Sequence, residues 1–170
     1  MDLKARVRDV LDFPKPGVLF KDIMPLLADP PAFAFAVDAL CARYSAADVD
    51  VIAAAEARGF LFAAPMAVQM KKPLIPLRKP GKLPGATSSF KYDLEYGSAE
   101  LHVHADAIHA GTRVLVVDDV LATGGTMAAA CKLVEQVGGT VIGCAFLIEL
   151  SFLNGRGPLT GRDVFSLLTY

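Results

Sequence analysis

Two adjacent carboxylates, Asp118 and Asp119, close the clearest strand pattern in the chain, Arg113-Val114-Leu115-Val116-Val117. Just beyond them comes a run of mostly small residues, Ala122-Thr123-Gly124-Gly125-Thr126. Adjacent acids at the end of an apolar strand are costly unless they bind something. A turn of this composition can aim successive backbone N–H groups and two hydroxyls at one point. A helix starting at Gly124-Gly125 adds partial positive charge behind them, so the turn predicts a phosphate cradle. Carboxylates repel phosphate, so the same ligand must also present hydroxyls; a vicinal diol donates two hydrogen bonds to a carboxylate. A phosphorylated ribose meets both demands. The plainer alternative is a tight capped turn whose acids hold water or a metal. The common phosphate loops do not fit: there is no Gly-x-x-x-x-Gly-Lys-Ser/Thr and no Gly-x-Gly-x-x-Gly after a strand.

Other chemically capable residues read more plainly. Cys41, Cys131 and Cys144 are odd in number, lack Cys-x-x-Cys spacing and sit among apolar residues. They predict buried thiols in a reducing compartment. His102 and His104, two apart on a presumed strand, point the same way, but no acid or further histidine supplies a clear third metal ligand. They read as two solvated histidines. His109 has no partner visible in the sequence.

Strands and helices must alternate to present such a site. Asp29-Pro30-Pro31 predicts a helix start, with Asp29 as cap, and Phe33, Val37, Leu40, Cys41 and Tyr44 follow on one face. Val49 to Ala55 reads as a buried strand, Gly59 to Met70 as a buried helix, and Leu74 to Leu77 as a short strand. Lys79 to Ala110 is a long excursion, first rich in glycine and proline, then alternating around Glu100-Leu101-His102-Val103-His104; it predicts a hairpin or hood. The acid-tipped strand ends at Asp119. A helix from Gly124-Gly125 then carries Met127, Ala130, Val134 and Val137 on one face and stops at Gly138-Gly139. Strands follow at Thr140 to Leu147 and Val164 to Leu168. The pattern predicts an α/β fold, a twisted parallel sheet flanked by helices, in a single domain over residues 1–170.

Composition narrows the class. The 170 residues carry 17 Lys plus Arg against 18 Asp plus Glu, for a formal charge of -1, with 54% hydrophobic residues. That excludes disorder, a collagen-like chain and a disulfide scaffold, and disfavours a strongly basic nucleic-acid binder. Mean hydropathy is +0.43. Yet the longest uncharged runs, Gly59 to Met70 and Val137 to Ile148, fall well short of the roughly 20 residues a membrane-spanning helix needs. The N-terminal charges do not suit a signal peptide. The expectation is a cytoplasmic protein with no membrane partner, its extra apolarity taken up by a buried sheet, a subunit interface, or both.

Residues Val116 to Thr126 resemble the phosphoribosyl-pyrophosphate signature of type I phosphoribosyltransferases. Three further segments make the chain similar to adenine phosphoribosyltransferases: Phe13 to Ile23, Glu56-Ala57-Arg58-Gly59-Phe60, and Arg78 to Gly85 with Tyr92 to Gly97. The resemblance implies the type I fold with a hood near residues 13–23 and a flexible loop over about 79–104. It implies transfer of 5-phosphoribosyl from phosphoribosyl pyrophosphate to adenine, giving AMP and pyrophosphate. It assigns the 5′-phosphate to Ala122, Thr123, Gly124, Gly125 and Thr126, and the ribose hydroxyls to Asp118 and Asp119.

The resemblance also gives the leaving pyrophosphate to Arg58, Arg78, Lys79 and Lys82. In this family the arginine of the Arg78 cluster can come from a neighbouring subunit, which implies a homodimer. Mg²⁺ is implied as the pyrophosphate's escort, held mainly by substrate oxygens and water. Glu95 is assigned to proton transfer at the purine and Tyr96 to covering the reacting centre. The resemblance also implies that Phe20 stacks on adenine while backbone groups of Leu19 and Lys21 read its edge. The position after Phe20 is often arginine in this family, and here it is Lys21; a backbone contact survives that change. Two rival readings remain: the same chemistry on an oxopurine, and a non-catalytic sensor of phosphoribosyl pyrophosphate. The sensor normally adds a DNA-binding domain, for which 170 residues leave no room.

Overall fold

The central strand forms where the β-branched run is densest. In the computed structural model, which describes residues 1–93 and 97–170, β7 (Arg113–Leu121) has Val114 to Val117 fully buried. It lies in a five-stranded sheet with β3 (Val51–Ala55), β4 (Leu74–Leu77), β8 (Thr140–Glu149) and β9 (Val164–Thr169), in the order β4-β3-β7-β8-β9. Every neighbouring pair is parallel. A strand buried on both faces needs no alternation, which is why β3 reads Val-Ile-Ala-Ala-Ala. The predicted strand end is corrected here. β7 runs on through Asp118 and Asp119 to Leu121, because Val120 and Leu121 keep their pairing with Ile148 and Glu149 of β8.

These strands belong to a compact unit spanning Leu40–Tyr170. Helix α3 (Gly59–Met70) follows β3 and runs through Pro65, giving up one internal hydrogen bond. Helix α4 (Gly125–Gln136) follows β7 and buries Met127, Ala129, Ala130, Cys131, Leu133 and Val134. The excursion becomes an antiparallel hairpin, β5 (Thr87–Asp93) with β6 (Ser98–His104). Its alternation is apolar packing: Leu101 and Val103 belong to the same apolar cluster as the α4 side chains, with Phe90 and Tyr92 packed against it. All three cysteines are buried, and the Cys131 and Cys144 sulfurs lie 3.6 Å apart.

The unit Met1–Ala39 holds a second antiparallel pair, β1 (Arg8–Leu11) and β2 (Leu19–Asp22). Ion pairs link its facing residues: Arg8 Nη2 to Asp22 at 2.5 Å, and Lys21 Nζ to Asp9 at 2.6 Å. A short helix, α1 (Met24–Leu27), precedes α2 (Pro30–Ala42). Asp29 caps α2 as predicted, its Oδ1 accepting the Ala32 N–H at 3.2 Å.

Candidate active site

The turn after β7 is shaped by what it lacks. Gly124 has φ of +84°, and a side chain there would collide with the carbonyl oxygen of Gly155. Only glycine combines that conformation with that approach. The turn, with Asp118, Val120 and Leu121 on one side and Met127 on the other, lines a small cavity of about 90 Å³. Behind it stands the N-terminus of α4, twelve residues long, so the unpaired N–H groups of its first turn face a site suited to an anion. Thr123 is exposed, and the Thr126 hydroxyl lies 3.4 Å from the Tyr92 hydroxyl on β5.

The acids behind this cavity are crowded. Asp119 is 4% exposed, and its Oδ2 meets the Nε of Arg58 at 2.8 Å. Asp118 accepts the backbone N–H of Asp119 at 2.8 Å. Burial, and then the neighbouring Asp119 charge, push the Asp118 pKa well above the usual carboxylate range. Burial also raises Asp119, with Arg58 opposing it. Two carboxylates so placed hold protons more tightly than free acids until a ligand supplies hydroxyl donors. Gly59, the first residue of α3, makes room for them: a Cβ there would stand 2.9 Å from Asp118 Oδ1 and 3.0 Å from the Val117 carbonyl oxygen.

The cations come from the ends of β3 and β4. Arg58 immediately precedes α3, and the Glu56–Ala57 peptide bond before it is cis. Arg78 donates through Nε to Glu56 Oε2 at 2.8 Å, and the Lys79 backbone N–H donates to Glu56 Oε1 at 3.0 Å. Burial works against the Glu56 charge, but these hydrogen bonds prevail and hold its pKa below the usual value. Lys79 and Lys82 are exposed. Lys79 also lines a cavity of about 420 Å³ with Lys91, Tyr92 and Glu100. One concavity thus joins the Asp118 carboxylate to anion-suited backbone amides, with Arg58 and Arg78 at the adjacent strand ends.

A model of the phosphoribosyl transferase domain matches residues 27–158. The adenine phosphoribosyltransferase of Kosmotoga olearia is 53% identical over the full length of both chains. The chain belongs to the adenine phosphoribosyltransferase family. The crystal structure of the Thermoanaerobacter pseudethanolicus family member superimposes with a TM-score of 0.96 at 49% identity, covering 99% of this chain and 98% of that one. That of Saccharomyces cerevisiae, complexed with an imino-altritol bisphosphate and adenine, gives 0.93 at 38% identity, covering 98% and 97%. The parallel sheet with its flanking helices is the type I phosphoribosyltransferase fold.

The remaining residues to which the family resemblance gave roles divide between the two units. In Met1–Ala39, Phe20 packs edge-to-face on Phe13, ring centroids 5.0 Å apart, beside a cavity of about 250 Å³ lined by Val10, Phe13, Phe20 and Asp22. Leu19 is exposed, while Lys21 is 8% exposed with its ammonium on Asp9, so its side chain is committed within the sheet. Glu95 and Tyr96 lie outside the described residues. The reading of His102 as solvated is corrected: it is half-buried, with Nδ1 3.0 Å from the Thr87 hydroxyl and Nε2 3.3 Å from Glu100. Among the described residues no three His, Cys, Asp or Glu side chains gather as metal ligands. Sequence reasoning missed Glu56 as a partner of Arg78, and Tyr92 as a partner of Thr126. The partners lie 22 and 34 residues apart, so nothing in the sequence pointed toward either pair.

Proposed function

We propose that this chain carries the family's reaction, moving the 5-phosphoribosyl group from phosphoribosyl pyrophosphate to adenine and yielding AMP and pyrophosphate. The observation that carries the reading is the single concavity uniting the Asp118 acid with the Ala122 to Thr126 turn at the head of α4. The turn's N–H groups and the Thr123 and Thr126 hydroxyls take the 5′-phosphate. Asp118 and Asp119 accept hydrogen bonds from the two ribose hydroxyls. That contact lets both acids ionise fully and fixes the sugar carbon that develops positive charge as its bond to pyrophosphate breaks.

Arg58, Arg78, Lys79 and Lys82 take the negative charge that collects on the leaving pyrophosphate. Mg²⁺, the implied escort of the pyrophosphate, would be held chiefly by substrate oxygens and water rather than by a protein cage. The oxygen donors at this strand end suit a hard cation, which when bound neutralises charge on the leaving group. Phe20 stacks on adenine, with backbone groups of Leu19 and Lys21 reading its edge. Glu95 receives the proton that the purine nitrogen loses as it bonds to the sugar carbon, and Tyr96 covers the reacting centre. Residues 13–23 act as the hood and about 79–104 as the closing loop of one phosphoribosyltransferase domain.

A homodimer is part of the same reading, supported by the exposed Leu61 and Val68 on α3, which are 40% and 80% accessible. The reading places the protein in the cytoplasm, without nucleic-acid or membrane partners; among the described residues no helix is long and apolar enough to cross a membrane.

One assay tests the activity: the protein, Mg²⁺ and phosphoribosyl pyrophosphate are mixed with each purine in turn. The expected result is AMP from adenine and no product from hypoxanthine, guanine or xanthine, since a site built around an amino donor rejects a carbonyl strongly. Product from an oxopurine alone would replace the base assignment. Binding without turnover would favour the sensor.

A further inference from the structure

The Glu56 carboxylate sits where an anion-binding site should not want one. Its side chain is 10% exposed, and it lies against Arg78 and Lys79, two groups assigned to pyrophosphate. A nearly buried negative charge repels the very ligand these groups would hold, so it must contribute something that outweighs the repulsion.

The geometry says what that is. Three hydrogen bonds tie residue 56 to the end of β4: its own N–H to the Leu77 carbonyl at 3.0 Å, Arg78 Nε to Oε2 at 2.8 Å, and the Lys79 N–H to Oε1 at 3.0 Å. The Arg78 backbone is fastened from the opposite side as well. It exchanges both hydrogen bonds with His102, at 2.9 and 2.7 Å, and the His102 ring is held between Thr87 and Glu100. The carboxylate takes Nε, the nitrogen nearest the chain, and leaves the Nη groups of the guanidinium fork outside this hydrogen bond. An arginine gripped in this way loses less rotamer freedom when a phosphate arrives.

We infer that Glu56 is a positioning residue, which presets the Arg78 guanidinium and the Lys79 backbone to receive the pyrophosphate of the substrate. It acts through Arg78 and touches neither adenine nor the ribose. The inference rests on the reading of Arg78 as a pyrophosphate ligand.

A double-mutant cycle on the full-length protein separates the two claims. Steady-state kinetics are measured for wild type, Glu56→Gln, Arg78→Gln and the double variant, varying phosphoribosyl pyrophosphate and adenine separately. Glu56→Gln is expected to lower kcat/KM for phosphoribosyl pyrophosphate about 10- to 100-fold, the size of losing a charged hydrogen-bond partner, while the KM for adenine stays within about twofold. In the Arg78→Gln background the same change should have almost no further effect, because coupled residues are not additive. Glu56→Asp, which keeps the charge but is one methylene shorter, should recover part of the loss. Unchanged kinetics in Arg78→Gln would overturn the reading of Arg78 itself. An Arg78→Gln defect with Glu56→Gln harmless, or with the two losses simply multiplying, would overturn the positioning role. If Glu56→Gln fails to fold, the Glu56→Asp and Arg78→Gln pair runs the same cycle.

Discussion

Two strand-to-helix junctions lie side by side in the sheet and solve opposite electrostatic problems. Where β3 meets α3 the connecting residues are Glu56, Ala57 and Arg58, and charge is supplied by side chains. Where β7 meets α4 they are Ala122, Thr123 and Gly124, with no charged group, and the positive character comes from backbone amides and the helix end. The first junction suits a ligand group that gathers negative charge, because side chains bring full positive charges to it. The second suits a group that stays, because backbone donors are fixed in place. Acids hold the arginines in place: Glu56 grips Arg78 at the end of β4, and Asp119 of β7 grips Arg58.

The sharpest way to break this division is to discharge the β7 acids. Asp118→Asn with Asp119→Asn should lower turnover by about a thousandfold or more, since losing even one preorganised transition-state contact typically costs about 10²–10³. AMP formation measures it, with circular dichroism reporting the fold; near-normal activity would sink the ribose-diol assignment. Gly59→Ala probes how closely the two junctions are packed. The new methyl would press on Asp118 and the Val117 carbonyl. Turnover should fall about 10- to 100-fold from displacement of that carboxylate, with about 1–3 kcal/mol lost in thermal or urea melts.

Arg58→Lys tests whether the first junction needs a planar fork rather than a charge alone. An ammonium cannot both hold Asp119 and present a fork to phosphate, so kcat/KM for phosphoribosyl pyrophosphate should drop about tenfold while the KM for adenine is kept. An unchanged value would mean point charge suffices there.

The smallest effect on activity lies at the opposite end of the strands. Asp50 is hydrogen-bonded by Arg113 through side chain and backbone, which lowers its pKa from the ordinary 3.8 to about 2. A depressed carboxylate stabilises the fold fully above its ordinary pKa and loses that contribution as pH falls from about 4 towards 2. Asp50→Asn should therefore leave turnover at neutral pH intact and flatten that part of the stability–pH curve, as acid titration of unfolding would show. A large loss of activity would mean the junctions depend on strand ends they do not touch.

The legible parts of this molecule were those encoded within a few consecutive residues. β7, its acids and the small turn announce themselves through β-branched density followed by glycine, and α3 is legible despite Pro65 because its apolar run is continuous. The β1–β2 pair was not legible. Its four-residue strands alternate charges that only make sense once Arg8 faces Asp22 and Asp9 faces Lys21. The strand end after Asp119 was misplaced because acids look like terminators, whereas the ladder to β8 overrides them. Glu56 with Arg78, Tyr92 with Thr126 and Gly59 with Asp118 are distant in the chain, so no local pattern reveals them. Roles for Glu95, Tyr96 and the base-reading residues came from family resemblance alone.

The floor of the Ala122 to Thr126 turn is the backbone of Gly155. A side chain at Gly124 would strike the Gly155 carbonyl, and one at Gly155 would strike the carbonyl of Ala122. The nearest approach at each glycine is to a main-chain carbonyl, which trimming a side chain cannot relieve, and Gly155 is walled by the Leu121 side chain as well. Compensating substitution is therefore closed off: damage at one glycine cannot be repaired by a smaller residue at the other. For an engineer, the segment between β8 and β9 is thus no free insertion point, although it looks like a surface loop.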